Sequence, residues 1–368
     1  MTTTLSRRAL FGAAAIFPTA ARRLLAAPPA PERYVAIDDV CAWPKLVALP
    51  DGAVAAAIHN RPSHGGKDAD VECWISRDQG RHWTSAGVIA QHPPEAMRNN
   101  HAIGVLAGGA LIAAASGWEY KTTSGANYYP ERKRTLLQAV VCTSGDSGKT
   151  WKHVGLLPAS SDGYYWIPFG NIETADDGSL NLAAYVFRSK LPPRRDTCAV
   201  LRSRDGGRSW TVQGLIGDSV HNETDLMHVG KGRWLAAART IEGVNGGVKR
   251  PACMDVLESE DDARTWRPAG FTTRPTEYPG DLCRLRDGRI ALTYGSRRDD
   301  FFGVLGRISA DRGKTWSDPV RIADSFERDC GYPSSAQLAD GKILTAYYSR
   351  GAAQHRRYHM GVVVWDPA

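Results

Sequence analysis

Short apolar runs recur along the chain, each closed by a polar cluster rich in Ser, Asp and Gly. Val71 to Ile75, Ala139 to Thr143 and Ala199 to Arg202 carry the β-branched, aromatic and small residues of strands, bounded by turn formers. Five of the closing clusters share one spacing: Ser, any residue, Asp, any residue, Gly, two residues, Trp. They are Ser76/Asp78/Gly80/Trp83, Ser144/Asp146/Gly148/Trp151, Ser203/Asp205/Gly207/Trp210, Ser259/Asp261/Ala263/Trp266 and Ser309/Asp311/Gly313/Trp316, with Ala263 where the others have Gly. In such a segment Asp accepts backbone N–H groups across the turn. Gly supplies a positive φ, and Trp folds back as an apolar plug. These are hairpin turns with a structural role, and their aspartates are not catalytic candidates.

A second repeat runs in phase with the first: an apolar strand, a tight turn ending in Gly52, Gly109, Gly178, Gly232, Gly288 or Gly341, and another apolar strand. Six copies, each about 56 residues long, match the size of a four-stranded blade. The pattern predicts an all-β, six-bladed β-propeller of four-stranded antiparallel blades over residues 31–368. The last strand, His359 to Trp365, is expected to join the N-terminal blade and so remove the sheet edges.

Residues 1–30 read differently. Arg7 and Arg8 precede the apolar stretch Ala9 to Ala21, and a small-residue region leads into Pro28 and Pro29. This is the pattern of a twin-arginine export signal, cleaved near residues 26–30, and it predicts a periplasmic or secreted protein. The stretch is too short to span a bilayer, so no membrane insertion is expected. The net charge of +7 is scattered without a Lys/Arg run, which argues against nucleic acid and for an acidic small substrate. The seven cysteines show no metal-ligand spacing, and most read as small buried core residues. Their odd count leaves at least one without an intramolecular bridge, and one disulfide stays open. No cofactor or metal is expected, and the chain is expected to be a monomer.

In a propeller the strand before each Gly turn lines the central channel. Those strands begin at Ala42-Trp43-Pro44-Lys45, Asn99-Asn100-His101, Pro168 to Asn171, Asn222-Glu223-Thr224-Asp225, Tyr278-Pro279-Gly280-Asp281 and Gly331-Tyr332-Pro333-Ser334. Polar and aromatic residues at equivalent positions converge on one mouth. The strand after each turn ends near Arg61, Trp118, Arg188, Arg239, Arg297 and Arg350. Five arginines would then ring that mouth, and guanidinium forks bind carboxylates bidentately.

These segments resemble the sialidase (neuraminidase) superfamily over the whole of residues 31–368. The Ser-x-Asp turns are its Asp boxes. Asn222 to Leu226, followed by Arg239, resembles the segment bearing a catalytic Glu and a carboxylate-binding Arg. Gly331 to Ser335 resembles the segment with the nucleophilic Tyr. Tyr294-Gly295-Ser296-Arg297 resembles that of another triad arginine, and the loop from Asn60 to Asp70 lies where the family carries its acid/base Asp. The resemblance implies an exo-acting glycoside hydrolase that releases a terminal acidic sugar from a glycan. Tyr332 would be the nucleophile, Glu223 its proton acceptor, Asp68 or Asp70 the acid/base, and Arg239 and Arg297 the carboxylate ligands. The substrate-binding set would also include Lys45, Arg61, His64, His101, Asp281 and Arg350. One departure stands out. The family opens its first inner strand with Arg-Ile-Pro, and this chain has Ala42-Trp43-Pro44; Lys45 and Arg61 are the available replacements, and Lys offers no planar fork. His64 and His101 beside Tyr332 would also suit a lyase acting on a uronate or another kind of propeller glycosidase, and the lost arginine would suit an inactive glycan-binding propeller.

Overall fold

The structure, a computed structural model, describes residues 32–121, 123–188, 196–217, 220–245, 248–352 and 355–367. The expected export segment lies outside them. The repeats fold as anticipated into small antiparallel sheets in a propeller arrangement, with a single 3₁₀ turn at Pro130–Arg132. Where the sequence predicts six separate blades, the described residues form five sheets of four or more strands. Four of them have four strands. The fifth has nine: two four-strand runs are fused, the inner strands Ala96–Val105 and Ile167–Thr174 pairing in parallel through Gly170 with Ala102 and Asn171 with Ile103, and the short strand Tyr128–Tyr129 pairs beside them. A Cβ on Gly104 of this pair would lie 2.2 Å from the Ile172 carbonyl oxygen, so the two backbones meet where a side chain would hold them apart.

Ring closure also differs in detail. The last strand, His355–Trp365, does not join the first blade; the N-terminal strand Glu32–Asp38 crosses to it and becomes the outer strand of the C-terminal sheet. The edge that the last strand would expose is thereby paired within its own blade.

All six predicted turn glycines have positive φ, between 70° and 94°. In the first Asp box Ser76 Oγ accepts from Gly80 N at 2.9 Å, Asp78 Oδ1 accepts from His82 N at 2.9 Å, and Trp83 Nε1 donates to Gly80 O at 2.9 Å. The other four repeat the Ser and Asp bonds. Ala263 takes φ +63°, the conformation that Gly adopts freely in the sister turns. The second strand is alanine-rich in three repeats, at Ala55–Ala57, Ala113–Ala115 and Ala236–Ala238, all fully buried. Small side chains fit where the sheets crowd. Larger ones such as Leu46, Ile58, Leu344, Tyr348 and Met360 fill the space between neighbouring sheets. All seven cysteines are buried.

The inner strands are tied around the channel by buried side chains. Asp225 accepts from Asn171 N and Leu282 N, both at 2.8 Å. Asp281 accepts from Ser335 N at 2.8 Å and Ser334 Oγ at 3.0 Å, and Ser334 Oγ accepts from Leu46 N at 2.9 Å. Asp281, expected among the substrate ligands, is therefore a buried strap between two inner strands. Burial and the charge of Asp225 push its carboxyl up.

Candidate active site

Each inner strand slips register at its channel-mouth end. The slips fall between Ala42 and Lys45, Arg98 and His101, Phe169 and Ile172, His221 and Thr224, Glu277 and Gly280, and Gly331 and Ser334. These are β-bulges, which bend a strand and re-aim its side chains. Trp43-Pro44, Asn99-Asn100, Gly170-Asn171, Asn222-Glu223, Tyr278-Pro279 and Tyr332-Pro333 sit in them. Proline suits a bulge because it has no N–H to give the ladder. Trp43 and Tyr332 take left-handed φ of 45° and 49°, a conformation that concentrates at functional sites.

The bulges open into a cavity of about 210 Å³ at the channel mouth. Its walls are aromatic (Trp43, Trp118, Phe169, Tyr185, Phe187), and its polar groups include Lys45, His64, Arg132, Arg134, Glu223, Arg239 and Tyr332. Tyr332 Oη donates to the Glu223 carboxylate, 2.7 and 2.8 Å from its two oxygens. Arg239 Nη1 donates to Tyr332 Oη at 3.0 Å and to Glu223 Oε2. Burial works to raise the Glu223 carboxyl, but the Arg239 charge and the hydrogen bonds from Tyr332 and Arg239 outweigh it and hold the group below its ordinary range. Burial and the Glu223 charge push the Tyr332 phenol well up. Nε of Arg239 is buried and has no partner among the described residues.

The other predicted site residues divide. Lys45 lies at the cavity floor, 1% exposed, its Nζ 3.9 Å from the Phe169 ring centroid and without a hydrogen-bond partner. Burial lowers its ammonium against the pull of Asp281, Asp225 and Glu223. His101 lines the cavity with both ring nitrogens turned to backbone carbonyls, 2.5 Å from Asn99 O and 2.9 Å from Ala57 O; burial brings it down to about 4. Asp68 and Asp70 are not among the cavity-lining residues. Asp68 is 69% exposed and faces His92 at 3.4 Å, and Asp70 accepts from His92 N at 2.7 Å.

Nor does the arginine ring form. Of its five members only Arg239 lines the cavity. Arg61 donates to Asp68 O at 2.9 Å, Arg188 pairs with Asp162 at 2.8 Å, and Arg350 lies 3.7 Å from Glu327. Arg297 donates to the carbonyls of Tyr278 and Cys330 at 2.8 and 2.7 Å, with its guanidinium 5.3 Å from the Tyr332 ring centroid. It supports the Tyr332 bulge from behind. Equivalent strand positions do not give equivalent directions, because each fork takes the acceptor its own loop offers.

Two cations that the repeat analysis passed over do reach the cavity. Arg132 lies over Phe187 and Trp118 at 4.5 and 5.1 Å, and Arg134 over Tyr120 at 4.8 Å. Neither has a carboxylate partner among the described residues. They belong to the long segment between the first two Asp boxes, whose tryptophans stand 68 residues apart, and that extra length was the signal to follow. Among the described residues, no group of three or more His, Cys, Asp or Glu is placed to hold a metal ion.

The fold is a sialidase-like β-propeller. Residues 52–344 match the BNR repeat-like domain, and the chain belongs to that family. Among solved structures it is similar to a protein of unknown function from Dyadobacter fermentans, with 21% identity, a TM-score of 0.76 and coverage of 91% of this chain and 98% of that one. The Hadza microbial sialidase Hz136 is 18% identical at a TM-score of 0.64, with 88% of this chain covering 65% of that one. The Trypanosoma rangeli sialidase solved with sialic acid is 15% identical at a TM-score of 0.65, over 91% of this chain and 59% of that one. At these identities the likeness establishes the fold, and this chain spans about two thirds or less of those two sialidases. No curated protein matches the chain in sequence.

Proposed function

We propose that the protein is an exo-acting glycoside hydrolase of the sialidase type, releasing a terminal acidic sugar by a retaining mechanism in which Tyr332 is the nucleophile. The observation that carries this reading is the Tyr332–Glu223–Arg239 cluster at the cavity wall. Where the anomeric carbon carries a carboxylate, a neutral phenol approaches without the repulsion a carboxylate nucleophile would meet, and sialidases are the known exception to two-carboxylate hydrolysis on this account. A phenol held neutral beside an ionised carboxylate is a nucleophile paired with its base. Glu223 takes the proton as Tyr332 Oη bonds to the anomeric carbon.

Arg239 links binding to that step. Arg239 lines the cavity with its side chain 22% exposed, and its charge is available to an anion. A substrate carboxylate there shares the charge that keeps Glu223 acidic, so Glu223 becomes more basic once the site is filled. Arg132 and Arg134 add positive charge at the same cavity, whose lining contains one carboxylate, and this favours an acidic glycan as ligand. Export by the twin-arginine route, and action as a monomer outside the cytoplasm, belong to the same proposal; N-terminal sequencing of the exported chain and its mass in solution check them.

A second reading, a lyase acting on uronate glycans, draws on the same lining: β-elimination needs a base and an acid and no second carboxyl group, and Tyr332 stands with a histidine in one cavity. Incubation with a fluorogenic sialoside, beside Tyr332→Phe and Glu223→Ala, tests the hydrolase. Fluorophore release lost in both variants supports it. No release from the sialoside, with ultraviolet-absorbing product from a uronate glycan, supports the lyase.

A further inference from the structure

A retaining hydrolase needs one more group, which protonates the leaving oxygen and then activates water. The sequence points to Asp68 or Asp70, and neither lines the cavity. Among the titratable side chains that do, Glu223 is committed to Tyr332, and Arg132, Arg134 and Arg239 do not release protons at working pH. Lys45 is sealed beneath Phe169, burial pushes the Tyr185 phenol well up, and both nitrogens of His101 face backbone carbonyls. His64 remains.

Its setting is that of a held acid. His64 Nε2 lies 3.0 Å from Asp329 Oδ1. Asp329 is itself fixed by the phenol of Tyr348 at 2.7 Å and by that of Tyr358. The imidazole packs edge-on against Trp43, with centroids 5.0 Å apart, and against Tyr348 at 5.8 Å. Those two rings also contact Tyr332, at 6.4 and 5.7 Å, so the histidine and the nucleophile share one aromatic frame. Nδ1 of His64 has no partner among the described residues, and the side chain is 49% exposed in a cavity-lining position. A Cβ on the neighbouring Gly65 would stand 2.4 Å from Arg134 Nη1, so the loop lies close to that guanidinium.

We propose that His64, oriented by Asp329, is the general acid/base of the reaction assigned above, on which this inference rests. In the first step His64 Nδ1–H gives its proton to the glycosidic oxygen. The bond from that oxygen to the anomeric carbon breaks with its electron pair on the oxygen. Tyr332 Oη bonds to the carbon, and the phenol proton passes to Glu223. In the second step neutral Nδ1 takes a proton from water, whose oxygen bonds to the anomeric carbon. The bond to Tyr332 breaks with its pair on the phenolate, which recovers its proton from Glu223. Asp329 is a positioning residue, holding Nε2 and turning Nδ1 to the cavity. The groups that face His64 are Asp329, Tyr348 and Tyr358 on the C-terminal sheet, Tyr332 across Trp43, His59 from the first sheet and Arg134 beside Gly65.

The test compares kcat/KM on two probes, 4-methylumbelliferyl α-sialoside, whose leaving phenol needs little protonation, and methyl α-sialoside, whose alkoxide needs it fully. His64→Ala is expected to keep the aryl substrate within about tenfold while losing about 100-fold or more on the alkyl one. The alkaline limb of the kcat/KM profile should vanish with it. Asp329→Asn should lower kcat/KM on the alkyl substrate more than on the aryl one. His64→Gln, with melting temperatures for all variants, separates misfolding from chemistry. Equal losses on both probes with the alkaline limb intact would overturn the role of His64 and leave the hydrolase standing. A wild-type protein inactive on both probes would overturn the hydrolase, and this inference with it.

Discussion

Tyr332 Oη lies 2.8 and 2.7 Å from the two carboxylate oxygens of Glu223, a residue 109 positions away in the chain. Their strands are not neighbours in any sheet, and the pair exists because each residue sits in a β-bulge at the mouth of the same channel. The pair also carries opposite shifts: the carboxyl is held low by Arg239 against its burial, and the phenol is pushed up by burial and by the carboxylate.

Glu223→Gln should therefore abolish turnover more than it weakens binding. The amide keeps the contact with Tyr332 but cannot accept its proton, so kcat on the fluorogenic sialoside should fall by about 100-fold or more while KM changes little. Removing the partner of Arg239 leaves a buried charge unpaired, at a cost of about 3 kcal/mol. A lowered midpoint of denaturant unfolding, measured beside the kinetics, checks that half of the expectation.

Arg132→Ala and Arg134→Ala should act on binding. Each guanidinium lies on aromatic rings at the cavity and lacks a carboxylate partner among the described residues. Each variant is expected to raise KM for an acidic glycoside several-fold with kcat nearly unchanged. The salt dependence of kcat/KM should flatten, because the removed charge is one that ions screen.

Gly148→Ala probes the Asp box. Gly148 has φ +86°, and a Cβ there would stand 2.5 Å from Cys73 Sγ on the preceding sheet. The left-handed backbone and the overpacked contact together should lower unfolding stability by about 2 kcal/mol. Gly178→Ala has the same sign of φ and open space around it, so it should cost less.

Acid stability should follow the Asp boxes. Thr150 and Ser144 hydrogen bonds bring the Asp146 carboxyl from 3.8 to about 2, and Asp205, Asp261 and Asp311 are lowered likewise by their own turn hydroxyls and amides. A carboxyl lowered by folding contributes stability that is present above its unfolded value and is lost as pH falls through its folded one. The melting temperature should thus drop between about pH 4 and pH 2. Asp146→Asn should make that drop shallower and lower the plateau above it.

The turns were legible because their chemistry is local. A positive φ needs Gly, a turn amide needs an Asp oxygen four residues back, and both requirements are written within one short segment. Tyr332 and Glu223 were legible as motif residues on inner strands. The arginine ring and Asp281 were expected at the mouth because equivalent positions along a strand were taken to give equivalent side-chain directions, whereas Asp68 and Asp70 were expected from loop position alone. Loops of different length give Arg61, Arg188, Arg297 and Arg350 different acceptors. Arg132, Arg134 and Asp329 lie outside the repeat and carry no periodic signal.

The sequence by itself determined the repeating hairpins, the all-β class and the set of residues that could meet at the channel mouth, since spacing and turn chemistry act over a few residues. Only the tertiary structure decided which of them meet. Fusion of two sheets through Gly170, closure by Glu32–Asp38 and the register slip in each inner strand are long-range events, and they set the angle at which Tyr332, Glu223, Arg239 and His64 enter one cavity.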